Sequence, residues 1–216
     1  MRLEKSARIA AASYMGLFIL WGGLEICIVP FLARWFDDTT IVFIKEVVLK
    51  IVVWFVPAVL LCRHYHGFLG IQAKLFSGKI PWAKLLPVLF LFTAFHLVSA
   101  YVETGAVFIS SSFRAADILI AVSVGMGEEM VFRGWLLNIS LRDKTWRAVL
   151  VNAVLFLLIH FPVWIQQGLL FTYVTNGAFL QIMALSVIFS WSFLKSRNMP
   201  APVILHAYWD FLCFLF

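Results

Sequence analysis

Hydrophobic residues along this chain form long runs separated by short polar segments. The runs cover about 9–30, 41–62, 85–102, 117–141, 148–166, 177–194 and 203–216. All but the last approach the roughly 17–25 residues that an α-helix needs to cross a bilayer. The short last run either tilts or spans incompletely. Barrel strands would show alternating segments of about ten residues. The pattern therefore predicts an all-α, polytopic membrane helical bundle of about seven spans.

The basic residues between these runs alternate in number. The N-terminal segment and segments 63–84, 142–147 and 195–197 contain 3, 4, 3 and 2 of them. The connections after the first, third and fifth runs contain 3, 1 and 0 basic residues. The first of these counts includes Lys45 and Lys50 together with Arg34. Because Lys and Arg are enriched in cytoplasmic loops, we predict a cytoplasmic N-terminus. The first run exceeds a signal-peptide core and lacks a convincing cleavage site, so we interpret it as a retained anchor.

Composition narrows the class of protein further. The 216 residues are 63% hydrophobic and 13% charged, against about 45–50% and 25% in an average chain. A soluble domain and a disordered chain are thereby excluded. Topology accounts for the net charge of +6, and no basic stretch is interleaved with aromatic residues, so we expect no nucleic-acid partner. Without a repeat or linker, residues 1–216 are predicted to form one integral-membrane domain, in which 1–116 supply the N-terminal spans.

Three ionisable residues, Glu128, Glu129 and Arg133, lie inside run 117–141. Each central charge costs about 2.5–3.5 kcal/mol on insertion scales, so such groups usually face the bundle interior and mark a site. Glu129 and Arg133 are four residues apart and can pair on one helix face. Glu128 points about 100° away and is left free for another partner. Small residues that permit close helix packing flank this cluster: Gly125, Gly127 and Gly134.

His160 is the predicted partner of Glu128. Glu128 lies 13 residues from Leu141, and His160 lies 12 residues from Ala148, each counted from the cytoplasmic end of its run. At about 1.5 Å per residue, both lie roughly 18–20 Å from that face. Pro162 is expected to break or kink the second helix just beyond the histidine.

His206 and Asp210 form a second pair, four residues apart in the last run. They lie nearer the cytoplasmic end than Glu128 and His160. A meeting of the two pairs therefore requires a tilted or re-entrant last helix. His96 and Glu25, in earlier runs, are interpreted as structural or substrate-gate residues.

These residue types are compatible with more than one chemistry. A carboxylate beside an imidazole can hold and deprotonate a water molecule, while a second polar pair polarises the bond attacked. Histidine and glutamate also bind zinc with one open position for water. However, the chain has neither an H-E-x-x-H motif nor a cysteine cluster. The residues alone leave a hydrolase, a metal site and a proton-coupled transporter open.

Three segments resemble motifs of a known family. Residues 128–137 resemble the E-E-x-x-x-R motif of the CPBP (Abi) family, the CAAX prenyl endopeptidase-like and bacteriocin-processing intramembrane proteases. Residues 156–160 are similar to its F-x-x-x-H motif, and residues 206–210 resemble its H-x-x-x-N motif. The motifs occur in order and place the candidate catalytic core at about 117–216. The first hundred residues match no motif of the family.

The resemblance implies a glutamate-dependent endopeptidase that acts within the membrane without a metal or another cofactor. It implies these roles: Glu128 as general base, His160 as activator of the water, His206 and Asp210 as stabilisers of the oxyanion, and Glu129, Arg133 and Phe156 as supporting residues. The family commonly has Asn at the position of Asp210, and an ionised aspartate cannot donate to an oxyanion. Asp210 is therefore either protonated or orients His206 by accepting a hydrogen bond; we favour the second role.

The expected partners are the lipid bilayer and a membrane-anchored protein or peptide precursor. The resemblance allows a prenylated CAAX protein, a bacteriocin leader or the C-terminal anchor of a sorted surface protein as substrate. The chain length favours a maturation role in a prokaryotic cell membrane. Three alternatives remain: a non-enzymatic scaffold or immunity protein of the same fold, a zinc-dependent membrane hydrolase, and a proton- or cation-coupled carrier. The missing internal repeat weakens the last of these.

Overall fold

The computed structural model describes residues 2–71, 76, 79–141 and 145–216, and the regular structure within them is helical. The first two helices each contain a wider π-helical segment. Helix α1 (2–32) comprises Arg2–Gly23, the π segment Leu24–Ile28 and Val29–Leu32. Helix α2 (38–64) comprises Asp38–Phe43, the π segment Ile44–Phe55 and Val56–His64. A 3₁₀ turn, His66–Phe68, follows α2.

The remaining helices cover the motif-bearing part of the chain and the segment before it. Helix α3 is Trp82–Thr104, and α4 (115–140) comprises Ala115–Glu129, the π segment Met130–Leu137 and Asn138–Ser140. They are followed by α5 (Thr145–Leu158), α6 (Phe161–Gln166), α7 (Leu170–Thr175), α8 (Ala178–Ser196) and α9 (Pro200–Leu215). Each apolar run predicted from the sequence corresponds to one of these helices, or to α5 and α6 together.

Several helices are suited to a membrane. Among the described residues, four segments are long and apolar enough to cross one: Glu4–Leu32, Trp82–Thr104, Thr145–Gln166 and Ala178–Ser196. Helices α2 and α4 have a similar length but carry buried charges, and α9 is shorter. Large apolar side chains are exposed on the outside of the bundle, among them Ile19, Phe90 and Val102. Such a surface is typical of contact with lipid. The regular structure of the described residues is therefore helical throughout, as in a multi-pass membrane protein.

Local sequence explains where several helices begin and end. Asp37 caps α2, because its side chain accepts hydrogen bonds from the backbone N–H (3.0 Å) and hydroxyl (2.9 Å) of Thr40. These bonds hold the pKa of Asp37 below its usual range. Gly105 ends α3 with a φ of 76°. The interruption between α5 and α6 falls at 159–160, and Pro162 occupies the first turn of α6. The predicted break near Pro162 is thus present.

Helix α4 is the centre of the packing. It packs most extensively against α9 and α2, while α8 packs against α5 and α9. A Cβ atom added at Gly125 would lie 2.9 Å from the backbone nitrogen of Ala207, so the backbones of α4 and α9 are in contact there. A Cβ atom added at Gly127 would lie 3.4 Å from the backbone oxygen of Lys50, so the backbones of α4 and α2 are also close. The close approach predicted from these glycines is therefore present.

One part of the charge count is wrong. Lys45 and Lys50, assigned to the connection between the first two runs, lie inside the π segment of α2. Their positions are compatible with membrane depth because carboxylates on α1, α2 and α4 pair with them. Arg34 then remains as the basic residue of that connection. Lys74, Arg142 and Lys144, which belong to the same count, lie outside the described residues.

Candidate active site

The acidic pair of α4 is buried in the interior of the bundle. Glu129 and Arg133 have no exposed surface, and Glu128 is 5% exposed. The predicted pair is present, since Arg133 Nη1 donates to Glu129 Oε1 at 2.9 Å. Arg133 Nη2 also donates to the hydroxyl (2.7 Å) and the carbonyl oxygen (2.8 Å) of Ser186 on α8. These bonds fix the carboxylate of Glu129 in one orientation.

His206 of α9 reaches this acidic pair. Its Nδ1 lies 2.7 Å from Glu129 Oε1, and because a carboxylate only accepts, this nitrogen carries the proton. Its Nε2 lies 3.9 Å from Glu128 Oε2 and 3.5 Å from Asp210 Oδ2. The imidazole also stacks on Phe189, with ring centroids 4.8 Å apart. Helix α9 thus brings His206 and Asp210 to the acidic pair of α4. His206 is oriented by the hydrogen bond that it donates to Glu129, rather than by one to Asp210.

His160 lies at the interruption between α5 and α6. Its Nδ1 is 2.7 Å from the carbonyl oxygen of Phe156, which only accepts, so Nδ1 carries the proton. In the neutral ring, Nε2 is therefore a hydrogen-bond acceptor. The ring of Phe156 packs between His160 (5.2 Å) and the guanidinium of Arg133 (4.7 Å). Phe156 thus supports both groups, through its carbonyl oxygen and its ring.

A single cavity connects residues from all three motifs. Glu128, His160 and Asp210 line a space of about 320 Å³, although they come from α4, the α5–α6 junction and α9. A water molecule takes a share of about 30 Å³ in the liquid, so this space is large enough for several water molecules. Helices α1 and α2 complete the lining with charged and aromatic side chains: Trp21, Glu25, Lys45, Glu46, Lys50 and Trp54.

Lys50 is a site residue that sequence reasoning missed. Its ammonium group forms a buried ion pair with Glu128 and lies 3.8 Å from Glu46 Oε2. It also lies above the rings of Trp54 (3.9 Å) and Trp21 (4.8 Å). Glu46 and Lys50 are four residues apart in an apolar run. That spacing is the sequence signal that predicts a pair at membrane depth.

The charged chain continues from Glu46 towards the start of α2. Lys45 Nζ lies 3.1 Å from Glu46 Oε1 and 3.3 Å from Glu25 Oε1. Glu25, interpreted from the sequence as structural or as a gate, thus belongs to the cavity wall. His96 does not line the cavity; its Nδ1 lies 2.9 Å from the carbonyl oxygen of Phe92. In the described part of the chain, no group of three His, Cys, Asp or Glu side chains is arranged to hold a metal ion.

Comparison with known proteins identifies the region that contains this site. Residues 110–212 match the family model described as Type II CAAX prenyl endopeptidase Rce1-like. No curated protein and no solved structure matches the chain. The matched region begins before α4 and extends into α9, so it contains all three motifs. The resemblance of these motifs to the family is therefore confirmed, since the matched residues 110–212 are similar to a family of CAAX-type peptidases.

Proposed function

We propose that this protein is an intramembrane endopeptidase that hydrolyses a peptide bond of a membrane-associated protein or peptide precursor, with water activated by Glu128 and His160. The observation that carries the proposal is the convergence of Glu128, His160 and Asp210 on one cavity within the bundle. The hydrogen bond of His206 to Glu129 supports it, because this bond orients an imidazole whose Nε2 lies 3.9 Å from Glu128 Oε2.

The proposed reaction begins with a water molecule between Glu128 and His160. Nε2 of His160 accepts one hydrogen bond from the water, and Glu128 removes its other proton as the oxygen attacks the scissile carbonyl carbon. His206, when its ring is protonated at both nitrogens, donates from Nε2 to the resulting oxyanion. The proton on Glu128 then passes to the leaving nitrogen as the C–N bond breaks. Asp210 beside Nε2 adds a donor when it is protonated.

The whole chain takes part in the proposed enzyme. We infer that residues 1–216 form one unit of seven spans with a cytoplasmic N-terminus. The single unit is supported by α1 and α2, which lie outside the family match yet line the cavity with Glu25 and Lys50. Because Lys45 and Lys50 belong to α2, the first connection has one basic residue. The alternation in the number of basic residues between connections is then sharper. The proposed setting is a prokaryotic cell membrane, and the proposed role is protein or peptide maturation, or sorting-signal processing.

The test compares new peptide termini in membranes that contain wild-type protein, Glu128→Gln or His160→Ala, by mass spectrometry. Both variants should lose wild-type cleavage, since a general base contributes about 10²- to 10⁴-fold to the rate. Matched controls are Glu103→Gln and His66→Ala, which change exposed residues away from the cavity. The proposal is contradicted if both site variants are folded and produce the same new peptide termini as the wild-type protein. A cellular phenotype that survives Glu128→Gln would favour the scaffold alternative.

A further inference from the structure

The two halves of α4 have different surroundings. Every residue of 130–139 is buried. At the end of this half, Asn138 accepts a hydrogen bond from the N–H of Ile71 (2.7 Å) and donates one to its carbonyl oxygen (3.0 Å). The N–H of Gly70 donates to the carbonyl oxygen of Asn138 at 2.9 Å. Segment 69–71 therefore covers the C-terminal end of α4.

The first half of α4 faces the cavity instead. Ile120, Val124 and Glu128 line it at successive turns, which places its far rim about 12 Å along the helix from Glu128. The rim includes Val42, near the start of α2, and Phe214, near the end of α9. The cavity thus extends from Glu128 towards the end of the bundle where α2 and α4 begin.

Among the charged side chains that line the cavity, all but Glu25 (2% exposed) become more exposed in the same direction. The side chains of Lys50 and Glu128 are 4% and 7% exposed, whereas those of Lys45 and Glu46 are 15% and 19% exposed. Asp210 is 22% exposed. Charged groups at membrane depth face either the bundle interior or a water-filled cavity, and side chains that retain exposed surface fit the second. The graded exposure therefore indicates a wet entrance at this end.

The charge of the flanking segments identifies the face on which this entrance lies. Segments 33–37 and 105–114, which precede α2 and α4, contain one basic residue each. The segment after α4, residues 141–147, contains three. By the positive-inside rule, the covered end of α4 is cytoplasmic and the open end is not.

We infer that water and substrate enter from the non-cytoplasmic side, and that the substrate is an exported, membrane-anchored polypeptide whose scissile bond lies in the outer half of the membrane. The inference rests on the proposed function and topology. It favours the anchor of a sorted surface protein over a prenylated C-terminal tail, because such a tail lies on the cytoplasmic side. A cytoplasmic tail would meet the covered end of α4.

Cysteine accessibility in intact cells tests this inference. Single cysteines are placed at Val124 in the cavity and Val42 at its rim, in protein whose natural cysteines are replaced by serine. The control, Ser140→Cys, lies at the opposite end of α4. The probe is a cationic, membrane-impermeant methanethiosulfonate. Val42→Cys and Val124→Cys should react in intact cells, while Ser140→Cys should stay at the level of cysteine-free protein and react in inverted membrane vesicles.

Several outcomes would overturn the inference. The first two are that Val124→Cys reacts only from the cytoplasmic side, or that it reacts from neither side. The third is that Ser140→Cys reacts in intact cells. Labelling does not require hydrolysis. Full cleavage by Glu128→Gln would therefore refute the proposed function while leaving the direction of access standing. Conversely, an inactive Glu128→Gln with a cavity open to the cytoplasm would refute only the direction of access.

Discussion

The ammonium of Lys50 contacts the candidate base and is enclosed by two tryptophan rings. A buried carboxylate without a cation tends to take up a proton, and a protonated Glu128 cannot accept one from water. We therefore expect Lys50→Met to lower kcat by about 10- to 100-fold, part of what a general base contributes, with KM nearly unchanged. Lys50→Arg should keep most of the activity, because a guanidinium stays charged and stacks on tryptophan. Steady-state kinetics in proteoliposomes measure both variants.

The control for Lys50 is Lys84→Met, which removes the same charge from an exposed position on α3 and should leave kcat unchanged. Lys50→Gln provides a second neutral variant that retains a hydrogen-bond donor, in case Lys50→Met does not fold. Wild-type kcat in a folded neutral variant, together with an inactive Glu128→Gln, would show that Lys50 has no part in positioning the base. An Arg variant as impaired as the Met variant would argue against the role of charge.

Asp210 faces Nε2 of His206 at 3.5 Å, while Nδ1 is held by Glu129. An asparagine amide can donate to an oxyanion and can also accept from Nε2. Asp210→Asn should therefore keep kcat within about threefold of wild type, whereas Asp210→Leu should lose about 10²-fold, the usual cost of a lost oxyanion donor. The same kinetic assay measures both. Equal loss in the two variants would show that the carboxylate itself is needed.

The sequence predicted some site residues more readily than others, for a physical reason. Glu128, Glu129 and Arg133 stand out because charges inside an apolar run are costly. Lys50 was missed because it was counted with the basic residues of the first connection, and because its partner Glu128 is 78 residues away on another helix. Local spacing also predicted the bond of Glu129 to Arg133 but not its second bond to His206, which depends on how α9 packs.

At the scale of helices, Gly125 sets the distance between α4 and α9. A Cβ atom there would lie 2.9 Å from the backbone nitrogen of Ala207, and backbone cannot move aside as a flexible side chain can. Gly125→Ala should lower the free energy of unfolding by about 1–3 kcal/mol, as overpacking usually does. It should also lower kcat, since α9 carries His206. Thermal unfolding in detergent and a cleavage assay measure the two effects.

Gly16→Ala is the matched control for Gly125, because nothing lies within 4 Å of a Cβ atom at this position of α1. It should leave stability unchanged or raise it slightly, since alanine favours helix more than glycine does. If Gly125→Ala unfolds at the wild-type temperature with full activity, the two helices are free to separate without cost, and the close contact has no role in the site.

The positions of the helices were predictable, but their internal irregularities were only partly so. Apolar runs locate helices because lipid requires about 17–25 apolar residues for a span. Pro162 predicted a break just beyond His160, whereas the interruption falls at 159–160, because proline favours the first turn of the helix that follows. The π segments of α1, α2 and α4 have no signal of this kind. A wider helical turn changes neither hydropathy nor the charge of the segment.

For the molecule as a whole, the motifs describe only half of the cavity. The family match covers 110–212, whereas α1 and α2 supply the charged chain from Glu25 to Lys50. No motif was recognisable in this first part of the chain. Its part in the cavity depends on the packing of five helices, α1, α2, α4, α6 and α9, and a single sequence carries no direct record of how they pack.

The proposed topology makes a definite prediction about the last helix. Helix α9 has 16 residues, about 24 Å of helix, which is short for a core of about 30 Å. It nevertheless packs closely along α4, so its end should reach the non-cytoplasmic face. Alkaline phosphatase fused after Phe216 should therefore be active, and green fluorescent protein fused there should be dark. The same reporters fused after Ser140 should give the opposite result. A fluorescent fusion after Phe216 would mean that α9 turns back, and six spans would replace seven.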